Sequence, residues 1–166
     1  PYKLRHVFDV SDTNSRAGKE VPIWKMEQRF VEPVKKVLAE RYEVDTHESL
    51  EDCLLNVAVT FVNDNYQDYL AELMEAKAGS LLEKLDEDNT RLQMLTALSY
   101  SVGYMLHIRS GLPGRAYFGN SLDKVCNFNT PEVISILGAA VSDMSEVLLR
   151  EIAVLVQDLQ REERNQ

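Results

Sequence analysis

Residues 47–79 read HESLEDCLLNVAVTFVNDNYQDYLAELMEAKAG. Leu50, Cys53, Leu54, Val57, Ala58, Phe61 and Val62 recur at steps of three and four, which puts them on one face of an α-helix. Tyr66, Tyr69, Leu70 and Leu73 continue that face, with one weak point at Asn63, Asp64 and Asn65. Ser49 followed by Asp52 resembles a capping box with Asp in place of Glu. Gly79 suits the left-handed residue that ends a helix. The spacing predicts one helix of roughly 28 residues, or two collinear ones, packed on one side.

Downstream, an acidic segment around Leu81–Leu85 leads to Asn89 and Thr90, which have the side chains of an N-cap. The stretch RLQMLTALSYSVGYMLHIRSG (91–111) is apolar on most faces, the pattern of a central helix, and Gly111 with Pro113-Gly114 stops it. Residues 115–129 read as irregular, with one helical turn at Leu122–Cys126. Thr130 is a suitable N-cap, Pro131 suits the first helical position, and Glu132 lies beside the positive end of the dipole. Val133, Leu137, Ala140, Met144, Leu148, Ile152, Leu155 and Leu159 then sustain a stripe long enough for a helix of about 50 Å. The terminal QREERNQ is polar throughout and is expected to fray.

Upstream, Tyr2–Val10 is apolar and β-rich and reads as a strand, followed by a loop over Ser11–Val21. Ile23–Phe30 reads as a short helical segment. Pro33 then fits the first turn of a second helix, where its missing N–H costs nothing. The fold expected is mainly α: one helical domain over 1–166, a bundle with a minor N-terminal β element in the extended segment 1–22. A lone strand leaves its backbone groups unpaired. It therefore pairs with its own copy in a homodimer, pairs with an upstream domain, or lies as an arm on the bundle.

With 45% apolar and 27% charged residues, the composition is that of an ordinary globular protein. No apolar run approaches the ~18–20 residues needed to span a bilayer. The chain opens on proline, with no apolar leader, and is expected to be a piece of a longer cytoplasmic polypeptide. Cys53 and Cys126 are expected as reduced core residues. Charge is uneven. Residues 1–41 carry nine Lys/Arg and six Asp/Glu, while the remaining residues carry nine basic against twenty-one acidic side chains. Thirteen acids lie between Glu43 and Asp88, against only Lys77 and Lys84. Such a chain is a poor ligand for duplex DNA, which needs clustered cations. The acids Glu43, Asp45, Glu48, Glu51, Asp52, Asp64, Asp68, Glu72 and Glu75 form the candidate interaction surface, and a solvated helix face is the plainer account of the same residues.

Catalytic patterns are absent from the sequence. His47-Glu48 opens HESLE, but position 51 is Glu, so H-E-x-x-H fails and two imidazoles cannot share a helix face there. There is no G-x-S-x-G, no G-x-G-x-x-G and no phosphate loop. His107 is expected as a core or helix-end histidine. Tyr100, Tyr104, Tyr117 and Phe118 are expected in the core rather than as a stacking platform for bases. No catalytic residue, metal ligand or cofactor is assigned.

YKLRHVFDVSDT (2–13) resembles the VFDVSQT-like segment of ArdC-like antirestriction proteins and of the related LtrC-like proteins of conjugative elements, over Val7–Val10 and Thr13. Asp12 stands where the family more often has Gln. ALSYSVGYMLHIRSGL (97–112) and FNTPEVISILGAAVSDMSEVLLREIAVLVQDLQ (128–160) are similar to LtrC-like segments, so the likeness covers about half the chain. The resemblance implies a chain that follows a domain associated with single-stranded DNA and leads into a metallopeptidase-like domain. Zinc peptidase activity does not carry over. H-E-x-x-H is missing, and Tyr100 precedes the Ser101–Tyr104 run where the family has Glu. The reading is a non-catalytic interaction module of a conjugative-element protein, acting in transfer or restriction evasion through a protein partner or an upstream domain. The alternatives are an acidic DNA mimic or basic-partner surface on residues 43–88, and an enzyme with an unrecognised site.

Overall fold

The computed structural model describes residues 24–45 and 49–165. The strand expected over Tyr2–Val10 and the loop after it lie outside the described residues. Within them the chain is all-helical: α1 Gln28–Tyr42, α2 Leu50–Asn65, α3 Gln67–Ala76, α4 Glu87–Arg109, α5 Gly114–Phe118, a 3-10 helix Ser121–Asn127, and α6 Pro131–Arg164.

Helix α2 begins where the capping pattern put it. The Ser49 hydroxyl accepts from the Asp52 backbone N–H at 3.1 Å and donates to the Asp52 carboxylate at 2.6 Å. The weak point becomes a break at Tyr66. The amides of Asn63 and Asn65 donate to the carbonyls of Val59 and Phe61, each at 2.8 Å. Side-chain amides that take up i−4 carbonyls compete with the helix ladder where it is about to end.

Three helix limits depart from expectation. Residues 24–27 are not helical, and α1 runs from Gln28 straight through Pro33. Pro33 leaves one backbone carbonyl of the ladder without its donor, but burial of Phe30, Val34, Leu38 and Ala39 along one stripe holds the helix across it. Helix α4 starts three residues early. Asp86, not Asn89 or Thr90, is the N-cap, and its carboxylate accepts from the Asn89 backbone N–H at 2.8 Å. Thr90 is buried in the first turn, where its hydroxyl donates to the Asp86 carbonyl at 2.8 Å. Helix α6 continues through the polar tail to Arg164. Asp86→Ala should lower stability by about 1 kcal/mol, the usual worth of an N-cap acid. Asn89→Ala should cost clearly less in the same urea melts, and the reverse order would place the cap at Asn89.

Helix α4 is the centre. It packs against α2, α6, α5, the 3-10 helix and α3. Asp52 at the start of α2 meets Tyr117 just beyond α4, and Tyr66 shares a hollow with Glu87 and Arg91, so α2 and α4 run antiparallel. Helix α6 has 34 residues and spans about 51 Å. Its first half is crossed by α3, where the Tyr69 hydroxyl donates to Asp143 at 2.8 Å. Its second half is covered by α1. The Tyr42 hydroxyl donates to Glu151 at 2.8 Å, Arg41 pairs with the same carboxylate, and Arg29 pairs with Glu163 at 3.0 Å. The α6 stripe is buried as expected through Ile152. It then shifts to Val156, leaving Leu155 and Leu159 half-buried.

One continuous core joins buried residues from α1, α2, α3, α4 and α6. Cys53 belongs to it, whereas Cys126 on the 3-10 helix is exposed, contrary to expectation. Neither is in a disulfide. Leu122–Cys126 does form the expected helical turn, as part of the 3-10 helix. No helix among the described residues is long and apolar enough to cross a membrane.

Candidate functional site

The nine acids of the candidate surface do not form one face. Glu48 lies outside the described residues. Glu43 is exposed at the end of α1, in the left-handed region at φ 54°, where it closes the helix, and Asp45 is exposed just after it. Glu51 and Asp52 are half-buried in the first turn of α2. Asp64, Asp68, Glu72 and Glu75 are exposed at the far end of α2 and along α3. Thirteen residues of helix, about 20 Å, separate Glu51 from Asp64. The carboxylates therefore make two groups with different surroundings.

The first group faces the aromatic end of the bundle. Tyr117 donates its hydroxyl to the Asp52 carboxylate, which the Ser49 hydroxyl also holds. The Ser49 bond first, then the Tyr117 bond, keeps the Asp52 carboxyl below the usual carboxylate range. Behind Tyr117 lies His107, 0% exposed, with its ring 4.8 Å from those of both Tyr117 and Phe118. Phe118 is buried and receives the edges of Tyr100 and Tyr104 at centroid distances of 6.2 and 5.8 Å. Of the four aromatic residues expected in the core, only Phe118 is buried; Tyr100 and Tyr104 are half-buried against it and Tyr117 is exposed at the rim. Gly103 makes the approach feasible. A Cβ there would stand 3.0 Å from Leu55 and 3.3 Å from Phe118.

His107 Nδ1 is 2.7 Å from the Gly103 carbonyl, so that nitrogen carries the proton in the neutral ring. Nε2 is buried and has no hydrogen-bond partner among the described residues. Burial pushes the imidazole below its ordinary value, against smaller opposing effects of the Gly103 carbonyl, Glu51 and Asp52. The unfolded chain then binds a proton more readily than the folded one. The stability from neutral His107 is complete above the unfolded value of about 6.5 and is lost as pH falls through the folded value. Urea melts at pH 8 and pH 5.5 should show a larger loss for the wild type than for His107→Gln. Both proteins keep the other histidines, so equal losses would mean that His107 does not sense this range.

The second group surrounds Tyr69, whose hydroxyl is pushed up to about 12 by burial, then by its bond to Asp143 and the nearby acids Glu72 and Asp68. Beside it, Tyr66 at the break and Leu70 and Met74 of α3 meet Glu87 and Arg91 of α4 across an open hollow of about 390 Å3. Among the described residues no three His, Cys, Asp or Glu side chains gather in a metal-binding group.

Sequence reasoning missed several residues that organise these regions. Lys77 donates to the Leu85 carbonyl and lies 3.4 Å from the Thr90 hydroxyl, tying the end of α3 to the start of α4. Asn129 accepts from the Leu81 backbone N–H at 2.8 Å and holds the intervening turn to α6. Arg109 lies 4.1 Å above the Trp24 ring and donates to the Trp24 backbone carbonyl at 2.9 Å, pinning the segment before α1 to the end of α4. The Trp24–Arg109 and Leu81–Asn129 contacts join positions remote in sequence, and no local pattern announces them. The described residues thus define an all-α bundle. No protein-family model, curated protein or solved structure matches the chain.

Proposed function

We propose that the chain is a non-catalytic interaction module of a conjugative-element protein similar to ArdC- and LtrC-like chains, acting in transfer or restriction evasion through protein contacts. The observation that carries this reading is the exposed acid group Asp64, Asp68, Glu72 and Glu75 at the end of α2 and along α3. Exposed acids of one sign suit a protein partner that presents cations. Several other polar groups have structural employment: Asp52 in a cap, Tyr42 and Glu151 between α1 and α6, Tyr69 and Asp143 between α3 and α6. On this reading the segment 2–10 is an extended strand ahead of a reduced metallopeptidase-like domain, and the setting is the cytoplasm.

The separation of the acids into two groups favours a basic partner docking at one of them over mimicry of a long DNA surface. The test uses a mobile element that encodes this chain. Asp64→Lys/Asp68→Lys should lower transfer frequency, or survival of the incoming DNA in a restricting recipient, by at least tenfold. Unchanged transfer and unchanged survival, with the protein still made at normal level, would overturn the reading. Zinc analysis of the purified protein addresses the enzyme alternative, because a stoichiometric metal would revive it.

A further inference from the structure

The chain between α4 and the 3-10 helix closes over a buried imidazole. Helix α5 has only five residues and lies between Gly111 and Gly119. Both glycines have positive φ, 77° and 50°, a region open to glycine at little cost. The short helix is thus a separate piece with a turn at each end. The contacts that hold it down include two from its last residues. The Phe118 ring is buried against Tyr100, Tyr104 and His107, and the Tyr117 hydroxyl donates to the Asp52 carboxylate at the start of α2. At its other end Gly114 rests on α4, where a Cβ would stand 2.9 Å from Ile108 and 3.0 Å from Tyr104.

Both rings that pack on His107 belong to α5, and the imidazole beneath them is 0% exposed. A second proton would have to sit on Nε2, which has no acceptor among the described residues. A buried N–H of a cation without an acceptor is costly. The charged and titratable groups facing the ring are Glu51 and Asp52 from α2 and the Tyr117 phenol from α5. On its own helix, Arg109 is turned to Trp24. The two carboxylates attract a proton to His107, but burial opposes it more strongly. Asp52 is moreover already engaged by Ser49 and Tyr117.

We propose that α5 is an acid-released flap: protonation of His107 at Nε2 lifts Tyr117 and Phe118 from the bundle about Gly111 and Gly119. Lifting gives the imidazolium water in place of its missing acceptor. It also empties the seat of Phe118 beside Gly103, so a notch opens between Leu55, Tyr100 and Tyr104. The closed form binds the proton less readily than the open form. Opening is therefore suppressed above the ordinary histidine value of about 6.5 and grows as pH falls below it. The flap does not depend on the interaction-module reading.

Hydrogen exchange followed by NMR tests it, with rates corrected for the intrinsic effect of pH on exchange. The Tyr117 amide donates to the Pro113 carbonyl at 3.2 Å, and Leu148 in the middle of α6 reports the core. At pH 8 the Tyr117 amide should be protected at least tenfold less than that of Leu148, and low urea should not change it, because its opening is local. From pH 8 to pH 5.5 its protection should fall at least threefold, with a limit of about tenfold for a group whose free value is about 6.5. His107→Gln should abolish that fall. Tyr117→Phe removes only the bond to Asp52 and should lower protection at position 117 at least twofold at both pH values. Should His107→Gln not fold, the wild type decides alone, because the His107 ring signal and the protection at Tyr117 must then titrate with one midpoint. Equal protection of Tyr117 and Leu148, protection at Tyr117 that ignores pH, separate midpoints, or the same pH dependence in His107→Gln would each overturn the flap.

Discussion

Replacing Leu148 with alanine is expected to lower the free energy of unfolding by about 2–5 kcal/mol. Leu148 is 1% exposed and sits in the middle of α6, where that helix meets the continuous core. Truncation removes the transfer free energy of three buried carbons and leaves a hole that surrounding helices fill only in part. Leu54→Ala on α2 should behave alike, because Leu54 is in the same core. Glu162→Ala on the exposed end of α6 should change stability by less than about 0.5 kcal/mol. Urea melts of the three proteins decide the matter. Losses of equal size at core and surface would mean that the buried faces are misassigned.

Overpacking at Gly103 is the second large effect. Gly103→Leu should destabilise by about 1–3 kcal/mol, because even a Cβ at that position meets Leu55 at 3.0 Å and Phe118 at 3.3 Å. Gly103→Ala should be close to neutral. Its gain in helix propensity, about 1 kcal/mol, offsets a contact that the end of a flexible leucine side chain can relieve. The leucine variant should also lose near-ultraviolet signal, since Tyr100, Tyr104 and Tyr117 pack around the Phe118 ring that would be displaced. A leucine variant as stable as the wild type would show that α2 and α4 do not approach closely at Gly103.

The two deletions and the glycine test probe parts of the fold with different legibility. Leu54 and Leu148 were readable as core from spacing alone, because a helix buried on one side must repeat its apolar residues at its own period. Gly103 was not. In the sequence it is one small residue in SVGY, and nothing local tells that Leu55, forty-eight positions earlier, presses against it. His107 was read as a core or helix-end residue, and it is both buried and in the last turn of α4. The acids were legible as residues but not as a surface. Their list runs continuously along the chain, while α2 carries its two ends about 20 Å apart.

The sequence by itself determined the helical character of the described residues, the caps at Ser49 and Thr130, the stop at Gly111, and most of the buried stripe of each long helix, whereas α3 ends at Ala76 with Lys77, not Gly79, as its C-cap. These are local quantities. A cap needs a side chain within three residues, and a stripe needs only its own period. The tertiary structure alone decided that α1 survives Pro33, that α4 begins at Asp86, that Cys126 is outside, and that α6 is shared between α3 and α1. It also decided that the chain breaks between α2 and α3 at Tyr66 and that the candidate acids fall into two groups. Each of these depends on which helix lies against which. Such packing is a sum of many small burial terms between distant residues, and local sequence does not contain them.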